Sequence, residues 1–112
     1  MVPKDLVAAT SGMMVLSILS HGESYGYAIG KRIREVTEGT MEWADGMLYP
    51  VLHRLEANGL VRAEWKTPKG GRRRKYYTIT EAGREELTKL REQWDAVDSA
   101  LRVLKKAEGL ER

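Results

Sequence analysis

The chain has 112 residues, a formal net charge of +3 and no cysteine, which excludes disulfide and thiolate-metal chemistry and gives no sign of an oxidising compartment. Its length bounds it at one domain, or one domain with an appended element, burying only about two-thirds of its unfolded surface, so that help from oligomerisation fits the size. The charge is unevenly placed: Leu60–Thr80 holds seven Lys or Arg against Glu64 alone, whereas the other 91 residues carry 12 basic and 15 acidic side chains, an asymmetry that points to a polyanionic partner met by one element.

The opening "MVPKDLVAATSGMMVLSILSHG" resembles a secretion signal in having Lys4 before an apolar stretch. Asp5, the missing small-x-small cleavage site and the interruptions at Thr10, Ser11, Ser17 and Ser20 argue instead for a buried amphipathic helix in a cytoplasmic protein. The stretch is too short and too polar to span a bilayer, so no membrane partner is expected. Asp5 is placed to cap this helix, Leu6–Ser20, which ends before Gly22. A second helix is predicted from Ser24, with Tyr25, Ile29, Ile33 and Val36 on one apolar stripe and Gly39 as its stop. Gly26 and Gly30, one turn apart, suit close packing against a neighbouring helix.

A third helix lies within residues 45–59. Leu48, Leu52 and Leu55 point inward and Asn58-Gly59 closes it; a start near Met47 puts Pro50 in the first turn, where no intrahelical donor is lost. Its outer face carries Gly46, Pro50, His53 and Ala57, flanked by Met47, Tyr49 and Arg54. Two strands follow, 60–66 and 73–80, joined by a turn containing Pro68 and Gly70-Gly71. Val61, Ala63 and Trp65 alternate with charged residues and should pack, while Tyr76 and Tyr77 read as hairpin packing residues and Trp43 and Trp65 as core. From Glu81 a long helix runs to about Glu108, opened by acids that suit its positive pole. Leu87, Leu90, Trp94, Val97, Leu101 and Leu104 form a heptad seam whose length has no obvious partner inside so small a domain. The order of helix, helix, helix and hairpin is that of a winged helix-turn-helix, mainly α with a small β-hairpin (α+β).

Catalysis finds no support. Ser20, His21 and Ser24 are neighbours in sequence only, Gly70-Gly71 is a hairpin turn with no helix behind it, and His21 and His53 lack ligand-spaced partners, so neither a metal nor a cofactor is expected.

The segments "YGYAIGKRI" (25–33), "GMLYPVLHRLEANGLV" (46–61), "GRRRKYYTIT" (71–80) and "EAGREEL" (81–87), in this order and spacing, resemble the PadR family of transcriptional regulators over about residues 12–94. That resemblance implies a winged helix-turn-helix DNA-binding domain (1–80), a C-terminal dimerisation helix (81–112), and a homodimer that binds double-stranded operator DNA, commonly as a repressor relieved by a small molecule. Position 47 is Met where the family usually carries Thr or Ser, which removes the hydroxyl expected there. The expected DNA contacts are Lys69, Arg72, Arg73, Arg74 and Lys75 on the hairpin, to phosphates. On the third helix they are His53; Arg54, to guanine or phosphate; Met47 and Pro50, to thymine methyls; and Tyr49, equally suited to a phosphate bond or to packing at the helix start. The expected dimer seam is Leu87, Leu90, Trp94, Val97, Leu101 and Leu104. Trp94 reads as core or, paired across a twofold axis, as a slot for a planar aromatic effector. The alternative readings are a protein-interaction module whose basic hairpin meets an acidic surface, and an RNA binder.

Overall fold

The computed structural model describes residues 2–43 and 45–110. Seven elements follow in order: α1 (Lys4–Leu19), β1 (Ser24–Tyr25), α2 (Gly26–Val36), α3 (Asp45–Ala57), β2 (Val61–Lys66), β3 (Arg74–Ile79) and α4 (Glu81–Leu110). The strands form one antiparallel sheet in the order β1-β3-β2, with Ala63 opposite Tyr77, Trp65 opposite Lys75, and Tyr25 opposite Tyr76. Four helices and a small three-stranded sheet make the fold a winged helix. No described helix is long and apolar enough to cross a membrane.

α1 is the centre of the domain, because α2, α3, α4 and β3 all pack against it. Val15, Leu16 and Leu19 on α1, Ile29 and Ile33 on α2, Leu48, Leu52 and Leu55 on α3, and Tyr77 and Ile79 on β3 share one buried cluster. Each buried aliphatic side chain contributes roughly 1.5–3 kcal/mol by leaving water.

Several boundaries differ from the sequence expectation, each for a local reason. α1 begins two residues early behind Pro3, so Asp5 lies in its first turn and favours the positive helix pole without capping it. Ser24 and Tyr25 do not begin α2; they pair with Tyr77 and Tyr76 as a third strand, and α2 starts at Gly26. The stripe proposed for α2 holds for Ile29 and Ile33, while Val36 is exposed. α3 starts at Asp45, so Pro50 is inside the helix; the Gly46 carbonyl has no amide to accept from residue 50, and both residues are open to water. Trp65 is not core but 54% exposed, beyond the reach of the helices, and Leu87 is buried in the chain's own core at 3%.

The junction between β3 and α4 is tightly built. Thr80 Oγ1 accepts from the Gly83 amide at 3.0 Å and donates to the Gly59 carbonyl at 2.7 Å, which makes Thr80 the N-cap of α4. The Thr80 amide donates to the Leu60 carbonyl at 3.1 Å. Gly83 then passes so close to that carbonyl that any Cβ would collide with it and with Ile79. Gly83→Ala is therefore expected to destabilise the fold by about 3 kcal/mol, the upper end of over-packing costs because the obstacle is backbone; urea unfolding of the variant against wild type measures it.

Candidate nucleic-acid interface

A groove of about 550 Å³ opens between α3 and the β2–β3 hairpin, lined by Tyr25, Gly26 and Tyr27, by Tyr49 and His53, and by Trp65, Arg72, Arg73, Arg74, Lys75 and Tyr77. It exists because β1 is only two residues long and pairs with β3 at Tyr76 and Tyr77, leaving the edge of β3 uncovered toward the hairpin tip. The turn itself needs Gly70, whose φ is +74°, a conformation that other residues adopt at a cost.

The hairpin cations are held in two different ways. Lys66 Nζ bonds Glu23 Oε2 at 2.8 Å and Lys75 Nζ lies 3.5 Å from Glu56 Oε1. The Glu23 hydrogen bond holds the Lys66 ammonium above its ordinary pKa. Both lysines also lie 5.7 Å from a ring centre, Lys66 over Tyr76 and Lys75 over Tyr77, whereas two arginines rest on rings alone: Arg73 Cζ is 4.8 Å from the centre of the Trp65 ring and Arg74 Cζ 4.4 Å from that of Tyr25. Lys69 and Arg72 are exposed.

The outer residues of α3 divide between two surfaces. Tyr49 and His53 face the groove. Met47, Pro50 and Arg54 lie instead around a second cavity of about 240 Å³ with Val7, Ser11 and Trp43, and Arg54 Nη2 reaches Ser11 Oγ on α1 at 3.4 Å. Tyr49 packs, its ring resting on Gly26, where a Cβ would come within 2.9 Å of the phenol oxygen, and it remains 45% exposed on the groove side. Trp65, Tyr25 and Glu56 were not among the residues the sequence singled out for this site. The signal for Trp65 was present, since an aromatic at the open end of a hairpin lies past the reach of the helices.

On α4 the heptad seam splits in two. Leu87 and Leu90 pack against the domain, whereas Trp94 is 40% exposed and Val97, Leu101 and Leu104 are more so. Trp94 borders two cavities. One, of about 330 Å³, is lined by Met13, Met14, Ile33, Val36, Met41 and Arg91 among others; a smaller one, of about 160 Å³, includes Thr10, Met13, Leu90 and Val97.

A winged helix with a cationic groove between its third helix and its hairpin has the build of a nucleic-acid-binding regulator. Residues 15–89 match the transcriptional regulator PadR-like family, and the chain belongs to it. A transcriptional regulator from Clostridium thermocellum superposes with a TM-score of 0.83 at 29% identity, covering 91% of this chain and 96% of that one. The transcriptional regulator YqjI of Escherichia coli is 30% identical over 91 residues, 81% of this chain but 42% of YqjI. Bacillus subtilis PadR, solved in complex with operator DNA, superposes with a TM-score of 0.65 at 25% identity, covering 72% of this chain and 47% of that one. The chain thus spans less than half the length of those last two proteins.

Tyr77, 1% exposed, ties the groove to the core. Burial pushes its phenol pKa up, with Lys75 opposing. Its folded pKa lies above its unfolded value of about 10, so its contribution to stability is complete below that pH and is lost as pH rises through the raised folded value. The melting temperature should fall on the alkaline side of pH 10, and Tyr77→Phe should fall less steeply there; parallel melting curves across that range check it.

Proposed function

We propose that this protein is a cytoplasmic, homodimeric regulator that binds duplex operator DNA with sequence preference, as a repressor relieved by a small-molecule effector. The observation that carries the reading is the groove: it brings His53 and Tyr49 of α3 within one surface shared with Arg72, Arg73, Arg74 and Lys75 of the hairpin. Residues 1–80 bind DNA and 81–112 form the dimerisation helix. α3 enters the major groove, with His53 as a base reader and Met47, Pro50 and Arg54 on the flank nearer α1. The wing cations meet phosphates, which set register and affinity and leave specificity to α3. The operator complex of Bacillus subtilis PadR supports the same use of this fold.

The exposed stripe Trp94, Val97, Leu101 and Leu104 supports pairing with a second copy. Arg91 Nη2 bonds Ser17 Oγ at 3.1 Å and Arg84 Nη1 reaches the Ser20 carbonyl at 3.4 Å, so a change in the angle of α4 moves α1 and the helices packed on it. A planar aromatic effector against Trp94 is placed to alter that angle and hence the spacing of two α3 helices.

Two experiments test this. In a salt titration on matched and scrambled duplexes, replacing Arg72, Arg73 and Arg74 by Ala should weaken both duplexes and flatten the slope of log affinity against log salt by roughly 4 to 5 per dimer, with sequence preference retained. An unchanged slope instead favours an acidic protein partner. Val97→Asp with Leu101→Asp places charge on side chains that are exposed in the single chain, so the fold should survive while the dimer dissociates; light scattering showing an intact dimer would remove the seam.

A further inference from the structure

We infer that Trp65 and Tyr25 are positioning residues of the wing, seating the guanidinium groups of Arg73 and Arg74 so that their N–H edges stay free for phosphate. This rests on the DNA-binding reading and adds a division of labour among the cations. A guanidinium is planar: an aromatic ring engages its face, while a phosphate engages the in-plane donors at its edge. Ring and phosphate therefore bind together. A carboxylate, in contrast, competes with a phosphate for a cation's charge and for one of its donors, and that is the position of Lys66 beside Glu23 and Lys75 beside Glu56. The lysines, also 5.7 Å from the Tyr76 and Tyr77 ring centres, meet DNA with their charge partly matched, whereas Arg73 and Arg74 keep theirs.

The seats are built into the sheet. Trp65 stands opposite Lys75 and so shares its face of the hairpin with Lys75 and Tyr77, whereas Arg74 stands opposite Lys66 on the other face, with Tyr76 and Tyr25. One cation is thus seated from each face of the hairpin, and both border the same groove. Tyr25 is fixed by an edge-on contact to Tyr76, ring centres 5.5 Å apart at 70°. Trp65 is 54% exposed, and the Arg73 guanidinium covers it at 4.8 Å. A free arginine beside a Gly-Gly turn samples many rotamers; the ring removes most of that freedom before DNA arrives.

The test is a mutant cycle on the full-length protein, with a duplex carrying its preferred site titrated across a range of salt. Trp65→Leu should weaken binding about fivefold per wing with the salt slope unchanged, because no charge is lost, and Trp65→Phe should restore most of the affinity. Arg73→Ala should lower the slope by about 0.9 per wing, and the double variant should bind no worse than Arg73→Ala, since the ring then has nothing to seat. Wild-type affinity in Trp65→Leu, or penalties that add in the double variant, overturns the inference. Should Trp65→Leu fail to fold by circular dichroism, Arg73→Lys decides: it keeps the charge and loses the planar face, and affinity equal to wild type sinks the idea. A wild-type protein without salt-dependent duplex binding overturns the DNA-binding reading and this inference with it; wild-type binding left intact by Trp65→Leu overturns the inference alone.

Discussion

The structure depends on the crossing of two backbones at Leu60 and Gly83. There the end of α3, the start of β2, the end of β3 and the first turn of α4 meet within a few residues, joined by the Thr80 hydroxyl and amide bonded to the carbonyls of Gly59 and Leu60. Only a residue without a Cβ lets α4 pass that close to the Leu60 carbonyl. The consequence reaches both ends of the molecule. α3 and the hairpin, which wall the groove on two sides, are thereby joined at one point. α4 is launched along a direction that lays Leu87 on the core and carries everything past Trp94 into solvent.

The electrostatics follow from how the hairpin is framed. Five cations between Lys69 and Lys75 repel one another, and the fold answers without neutralising them all. Two wing lysines are matched to carboxylates, Glu23 before β1 and Glu56 on α3, which tie the turn end of the strand pair to the body. These exposed pairs are screened by water and weaken in salt, so they orient more than they stabilise. At the same level of the ladder, Arg73 and Arg74 rest on aromatic rings and no carboxylate is paired with them among the described residues.

Much of this was legible in the sequence, and the exceptions share a cause. Four helices and a hairpin followed from apolar period, from Gly59 and Gly39 as stops, and from the Gly-Gly turn. The strand at Ser24 and Tyr25 was not legible, because two residues cannot show an alternation; what makes them a strand is Tyr76 and Tyr77, fifty positions away in sequence. The same limit applies to Trp65 and Arg54. Whether a tryptophan on a strand is core, and which side of α3 an arginine takes, depends on how far the helices extend over the sheet and on Ser11 standing within reach on α1. The early start of α3 is different in kind: a proline favours the first turn of a helix, and open water around Gly46 and Pro50 lets α3 tolerate it one turn later.

The distal half of α4 sets a final constraint. A helix of that length without tertiary contacts is marginal in water even for favourable sequences, yet Trp94, Val97, Leu101 and Leu104 lie outside the domain's core, where they gain little from it. Burying such side chains against a partner contributes roughly 1.5–3 kcal/mol each, enough that helix order and association become one equilibrium. If the seam pairs two copies as proposed, it is not a passive tether: a molecule beside Trp94 would act on the same contacts that order α4, and Arg91, bonded to Ser17 of α1 at 3.1 Å, would couple that order to the helix on which the whole domain is built.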